Sequence, residues 1–405
     1  MRPEKGPRRN RREQSPPRRS RRWVAAGAVI LLAAAGLIYA RMTVQSRPTK
    51  PNVVLILIDA LRPDRLHCYG YERRTSPNLD ALAADGAMFT DAMAQAPETL
   101  VSTPSLFTGR YPQEHGMQWM ERGPDIFIGP HLGLPSIAEL LRGAGYETAA
   151  VSGSPIIGPG LGFDRGFDHF DQSRGLISNS QGMNAGDLNV AVSEWLDQRD
   201  TRRPFFLYIH YLDPHHAYHP PREFAVFGTG AYTPQDQQLN VKVHQLAGQY
   251  KNTGITDAAL AGAGLSRADV GRLSDLYDGE VLCVDHYVGE LVRRLKDDGL
   301  YDHTIIIVTA DHGQAFLEHG NLKHGGSLYQ VLLRVPLIVR RPASRRGERI
   351  GGLVQEVDIA AGALNGNAFR RFRVPETAPG PGPAKQLDYA LDVKANSIEC
   401  LQAHR

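Results

Sequence analysis

Val53–Ile58 reads VVLILI, six apolar residues in succession with no polar position between them. A strand with no polar face must be covered on both sides, the condition of a parallel sheet inside an α/β fold. Comparable runs occur at Thr148–Val151, Phe205–Ile209, Thr304–Thr309 and Val335–Val339. Helical patterns separate them. One opens at Ser76-Pro77, a cap followed by proline at the first helical position. A second covers Gly133–Gly143, and a third runs from Ser266 to Lys296 with Leu, Val and Tyr at three- and four-residue spacing. Strands alternating with helices predict an α/β domain with a mostly parallel central sheet flanked by helices. Residues 217–265, rich in Gln, Gly, Ala and Pro with little periodicity, read as an insertion shaping substrate access.

With 405 residues, 42% hydrophobic and 22% charged, the chain has a globular composition and room for a large core. Its net charge of +3 hides a division. Residues 1–22 carry ten Lys/Arg against two Glu, leaving 36 basic and 41 acidic residues in the remainder. Basic charge gathered in one short tail, over a slightly acidic body, disfavours nucleic acid as a partner. The three cysteines, Cys68, Cys283 and Cys400, are too few and too scattered for a disulfide framework or a Cys-based zinc site.

Behind the basic tail, Trp23–Ala40 contains eighteen residues without a charge. At about 1.5 Å per residue they reach roughly 27 Å, enough to cross a bilayer core. The arginines before the run predict a cytoplasmic N-terminus, a membrane-anchoring helix and an extracytoplasmic (periplasmic or cell-surface) body. A cleaved signal peptide is the alternative, and Ser20-Arg21-Arg22-Trp23 has a faint twin-arginine character. Residues 41–50 then form a linker to a catalytic domain over 51–360.

Two of the buried runs end alike. VVLILI is followed at once by Asp59, and the run from Thr304 by Asp311-His312. Ligands bind beyond the carboxyl ends of parallel strands, so both acidic groups fall on the functional edge. A carboxylate there caps a helix, pairs with a cation or holds a metal. Two carboxylates with an adjacent imidazole suit a divalent first-row ion.

Several segments resemble the sulfatase family of the alkaline phosphatase superfamily. They are Pro51-Asn52-Val53 through Asp59 to Tyr71, Leu106–Pro112 with His115-Gly116, Gly162–Asp168, Phe205–His215, and Thr309–His324 with Leu328-Tyr329 and Arg334–Ile338. The resemblance implies the alkaline-phosphatase-like fold and metal-dependent cleavage of an anionic sulfate or phosphate ester. It also implies a nucleophile eleven residues before Arg110, which is Thr99. By residue type alone, without that register, Thr99 reads as an ordinary helix-cap threonine.

The chain departs from that family in ways that carry chemistry. The family's Cys or Ser, converted to formylglycine, is replaced by Thr99, and the Pro and Arg read by the converting enzyme are replaced by Val101 and Thr103. No formylglycine is expected. A threonine nucleophile resembles alkaline-phosphatase-like phosphodiesterases and envelope phosphoethanolamine and phosphoglycerol transferases, which favours phosphoester chemistry. Ser102-Thr103-Pro104 predicts a helix start whose dipole faces the ester. Asp59 is followed by Ala60 where the calcium-type family has a second Asp, and His312 stands in place of Asn. The implied ligand set is Asp59, Thr99, Asp311 and His312 around one ion, with Mn²⁺ or Zn²⁺ favoured and Ca²⁺ or Mg²⁺ open. The family's substrate-binding Lys and His are absent from Ser152-Gly153-Ser154. His215 and His324 match substrate-contacting positions, and His210 and His319 are weaker candidates for substrate binding. Beyond Val357-Asp358-Ile359 the family's apolar helix and C-terminal subdomain are not recognisable, and 361–405 reads as an atypical Pro/Gly-rich tail of a truncated subdomain. A true sulfate esterase without formylglycine, or a silent binding protein of the same fold, are the competing readings.

Overall fold

The protein is described from a computed structural model covering residues 50–117, 134–172, 185–250 and 253–364. The basic tail, the apolar run 23–40, the linker to residue 49 and the tail from 365 lie outside the described residues. Among those described, no helix is long and apolar enough to cross a membrane.

The strands are β1 (Asn52–Ile58), β2 (Ala87–Met93), β3 (Glu147–Ser152), β4 (His169–Asp171), β5 (Phe205–Tyr211), β6 (Thr304–Thr309), β7 (Ala315–Phe316), β8 (Leu322–Lys323), β9 (Arg334–Arg340) and β10 (Glu348–Gln355). Eight of them build one sheet in the order β10-β2-β9-β6-β1-β5-β3-β4, while β7 and β8 pair separately. Within the large sheet every described pairing is parallel except those of β9 with β6 and β2. The mostly parallel α/β architecture is therefore as the sequence predicts. β1 sits at the centre, and all of its apolar side chains, Val53 to Ile58, are fully buried. Each contributes about 1.5–3 kcal/mol relative to an exposed position.

Helices α1 (Pro77–Asp85), α2 (Thr99–Thr108), α3 (Ile137–Gly143), α4 (Ala185–Gln198), α5 (Pro234–Gln249), α6 (Arg267–Asp297) and α7 (Val357–Leu364) are the ones that concern the site. α6 starts from the Ser266 cap, whose side chain accepts from Asp269 N while the Asp269 carboxylate takes the Ser266 amide.

Three expectations are corrected. The helix expected to open at Ser102 begins at Thr99, because Glu98 is extended and its carbonyl already accepts from Val101 N and Ser102 N. Pro104 then lies inside the helix, where it withholds one amide from the ladder. The insertion is not without periodicity. α5, capped by Thr233, buries Leu239, Val243 and Leu246 at helical spacing that the surrounding Gln and Asn obscure. Thirdly, the chain past Val357 does form an apolar helix. α7 continues to Leu364 and buries Ile359, Ala360 and Ala363.

The segment after α2 is held by His115. Its Nδ1 accepts from Met117 N at 3.2 Å, so its Nε2 carries the proton and donates to Ser105 Oγ at 2.9 Å. Burial pushes its pKa down to about 4. The folded chain therefore binds fewer protons here than the unfolded chain between pH 6.5 and about 4. Stability falls as pH drops through that window. The expected outcome is that His115→Gln removes this part of the pH dependence, seen in urea unfolding of both proteins at pH 7 and pH 4.5.

Candidate active site

The strand register brings the chemistry together. Leu57 of β1 lies opposite Thr309 of β6, and Asp59 and Asp311 each follow two residues beyond that pair. Leu57 also lies opposite His210 of β5. Two carboxylates and an imidazole thus reach one end of three adjacent strands. The turn after β1 is clamped by Tyr277 of α6, whose hydroxyl donates to Ala60 O and accepts from Arg62 N, both at 2.9 Å. Ala60 itself is left-handed, with φ 58°, an uncommon conformation for a residue bearing a Cβ. On the other turn, Gly313 passes so close to α-turn backbone that a Cβ would meet Val331 O at 2.1 Å. Only glycine fits that position without moving the segment that follows His312.

Asp59, Asp311, His312, His210 and Thr99 are all buried. Asp311 Oδ1 accepts from Ala60 N at 3.2 Å and His312 N at 3.0 Å, which aims Oδ2 inward. Asp311 Oδ2 and Asp59 Oδ1 are buried without a hydrogen-bond partner. His312 Nε2 lies 3.5 Å from each of these two oxygens. His312 Nδ1 sits 2.9 Å from Gly313 O and must donate to it, so Nε2 offers a lone pair to the centre. Thr99 Oγ1 approaches that nitrogen at 3.1 Å. The four residues that the resemblance implies as ligands are therefore neighbours, although Thr99 is 212 positions from Asp311 by its number. Burial pushes the Asp59 carboxyl up, but His215, His210 and His312 outweigh it and hold the pKa below the usual carboxylate value. For His312, burial favours the neutral ring, yet Asp311 and Asp59 draw its pKa above the ordinary one.

His210 meets the other oxygen of Asp59, Oδ2, at 3.4 Å, and its Nδ1 is 2.9 Å from the Tyr208 hydroxyl. It stands behind the centre and orients Asp59 as much as it completes the donor cluster that Asp59, His210 and Asp311 form. His215 and His324 lie on the open side, their Nε2 atoms 3.0 Å apart. The His324 ring stacks on His312 at 4.1 Å. His324 Nδ1 is 3.2 Å from Pro97 O and donates there, so the proton between the two rings belongs to His215. Burial pushes both imidazoles below their ordinary pKa, with Asp59 partly restoring His215 and the neighbouring His312 further depressing His324. His319 is not brought to the site. It is exposed, and its ring stacks on Tyr329 at 3.8 Å.

A cleft of about 580 Å³ opens over this group, and Asp59, Thr99, His215 and His324 are among its lining residues. That size suits a small organic ligand. α5 and the residue after it supply another wall through His244, Ala247 and Tyr250. His216, His244 and Lys323 are lining residues that sequence reasoning missed. His216 and Lys323 adjoin residues that were singled out, but His244 sits in the insertion and carries no local signal.

Orphaned carboxylate oxygens facing an imidazole lone pair and a hydroxyl are a donor set for a divalent cation, because two buried carboxylates without a cation are costly. The residues present fit such an ion.

An α/β sheet whose carboxyl edge gathers carboxylates, imidazoles and a hydroxyl beneath a cleft defines a hydrolytic enzyme. The chain belongs to the sulfatase family, whose model matches residues 51–365. It is 25% identical over 390 residues to an arylsulfatase of Clostridium perfringens, covering 82% of this chain and 77% of the relative. It is 23% identical to an N-acetylglucosamine-6-O-sulfatase of Bacteroides thetaiotaomicron, covering 86% of this chain and 73% of that one. Among solved structures, a protein in complex with its substrate D-glucosamine-2-N,6-O-disulfate aligns with TM-score 0.60 at 20% identity, over 81% of this chain and 78% of that one. The phosphonate monoester hydrolase of Agrobacterium radiobacter aligns with TM-score 0.55 at 19% identity, over 78% and 73%.

If the orphaned oxygens hold an ion, removing one of them removes the ion. Asp311→Asn keeps the acceptor for Ala60 N and His312 N but not the second carboxylate oxygen. Chelator-treated protein is expected to gain about 4 kcal/mol of stability from an ion at a thousand times its Kd. Asp311→Asn should lose both that gain and the bound metal, as read by thermal melts and elemental analysis.

Proposed function

We propose that the protein is a metal-dependent hydrolase or transferase of anionic esters that uses Thr99 as its nucleophile and favours phosphoesters over sulfate esters. The observation that carries this reading is the Thr99 hydroxyl, 3.1 Å from His312 Nε2, which itself lies 3.5 Å from each of the two orphaned carboxylate oxygens. Asp59, Asp311, His312 and Thr99 would hold the ion. His312 Nε2 lies 3.5 Å from both Asp59 Oδ1 and Asp311 Oδ2, a spacing suited to donors that share one small divalent ion. That supports Zn²⁺ or Mn²⁺ over the larger Ca²⁺. A bound divalent ion would lower the pKa of the threonine hydroxyl and draw charge from the ester.

The rest is done by the chain. α2 presents Thr99 at its first turn, so the positive end of the helix faces the anionic ester. The threonine hydroxyl gives its proton to the neutral His215–His324 pair, its oxygen forms a bond to phosphorus (or sulfur) as the bond to the leaving oxygen breaks, and the leaving alkoxide takes that proton from the pair. His215, which holds the N–H between the two open-side rings, is placed to donate to that oxygen or to an oxygen of the transferred group. Water, or an acceptor hydroxyl in a transferase, then displaces threonine. His215 or His324, kept neutral by burial, accepts the proton from that second nucleophile.

Sulfate ester hydrolysis is the second reading, supported by the arylsulfatase and N-acetylglucosamine-6-O-sulfatase relatives. The uncharged run Trp23–Ala40 behind an arginine-rich stretch supports a membrane-tethered enzyme with its domain outside the cytoplasm.

Bis-p-nitrophenyl phosphate and p-nitrophenyl sulfate separate the two readings. The metal-loaded protein is expected to cleave the phosphodiester, Thr99→Ala to lose about a thousandfold or more in kcat, and Thr99→Ser to keep part of it. Turnover of the sulfate alone would overturn the phosphoester preference. Activity unchanged in Thr99→Ala would remove threonine from the mechanism.

A further inference from the structure

The same cleft holds a second group of polar side chains that the chemistry above does not use. Lys323 Nζ lies 2.9 Å from His244 Nδ1. An ammonium only donates, so His244 Nδ1 is the acceptor and its Nε2 carries the proton. The His216 and His244 rings stack at 5.7 Å, and His216 Nε2 is buried without a hydrogen-bond partner. All three residues line the same cleft, and the only carboxylates among the described lining residues are Asp59 and Glu98. Lys323 is left-handed, with φ 67°, a conformation uncommon for a residue with a side chain and concentrated at functional positions. Apolar residues, among them Leu212, Ala247 and Ile255, line the same cleft.

One ammonium and one imidazole N–H, on an apolar wall, form an anion receptor rather than a cation site. Burial, with the Lys323 charge, keeps His216 well below the ordinary imidazole pKa, and the Lys323 charge followed by burial lowers His244. Both rings are therefore neutral in the free protein, and the ammonium is the formal charge of the group. A negatively charged substituent arriving there meets a cation and hydrogen-bond donors already in place.

We propose that Lys323 and His244, with the His216 ring packed beside them, form a second anion subsite, which recognises a charged substituent on the same molecule that presents its ester to Thr99. The preferred substrate class is then an ester with a second anionic group, a sulfate, carboxylate or phosphate. The proposal rests on the reading of this cleft as the ester-binding site.

Hydrolytically inert arylsulfonates test the subsite without turnover. Calorimetry would compare benzenesulfonate with benzene-1,3-disulfonate and benzene-1,4-disulfonate on the metal-loaded full chain. At least one disulfonate is expected to bind about tenfold more tightly than the monosulfonate. Lys323→Asn, which tolerates the left-handed backbone, should bring that ratio to within about twofold, while Lys323→Arg preserves it. His244→Gln provides an independent arm if the asparagine variant melts below the wild type. A ratio near one in the wild type, or a preference that survives both Lys323→Asn and His244→Gln, overturns the proposal. A lysine-dependent preference in a protein that cleaves no ester would keep the subsite and refute the hydrolase reading. Ester cleavage without any disulfonate preference would do the reverse.

Discussion

Asp59 and Asp311 are held where neither can be solvated. Each ends a fully buried strand, the two strands are hydrogen-bonded neighbours, and each carboxylate keeps one oxygen with no donor of its own. Carboxylates packed this closely repel each other unless positive charge lies between them. His312 Nε2 approaches Asp59 Oδ1 and Asp311 Oδ2, and His210 Nε2 approaches Asp59 Oδ2; a divalent cation would supply further positive charge there. The left-handed Ala60, the Tyr277 clamp and the bare backbone of Gly313 are all understandable as devices that keep two acidic turns fixed against their mutual repulsion.

Thr99 gains its position from a different source. It stands at the first turn of a helix, and that helix is tied to the sheet edge by Ser102, whose hydroxyl donates to buried Glu356 at 2.5 Å. Burial holds Glu356 well above the ordinary carboxyl pKa. Thr99 and the two acidic turns are thus carried by different elements, a helix and two neighbouring strands.

Much of this was legible in the sequence, and for physical reasons. Strands buried on both faces leave unbroken apolar runs, and an acidic residue directly after such a run has few inexpensive roles, so Asp59 and Asp311-His312 stood out. The register between β1 and β6 then made their meeting a consequence of pairing. Strands with mixed faces were harder. β2 ends in half-buried and exposed positions, β10 alternates, and β4 has three residues, so none announces itself as an apolar run. The opening of α2 was misplaced because Pro104 resembles a first-turn proline while the real cap, Glu98, is an unusual one. His244 and Lys323 meet across 79 positions, and no spacing rule connects them.

The wall that bears His244 belongs to a segment inserted between β5 and α6, two elements of the central scaffold. Its own packing runs through Leu239, Val243 and Leu246. Selection can therefore rewrite the shape and charge of that wall piece by piece while the ion-holding edge stays constant. In a lineage that diversifies its diet of esters, this segment is where sister proteins should differ most, and exchanging it between them is a direct route to transplanting substrate preference.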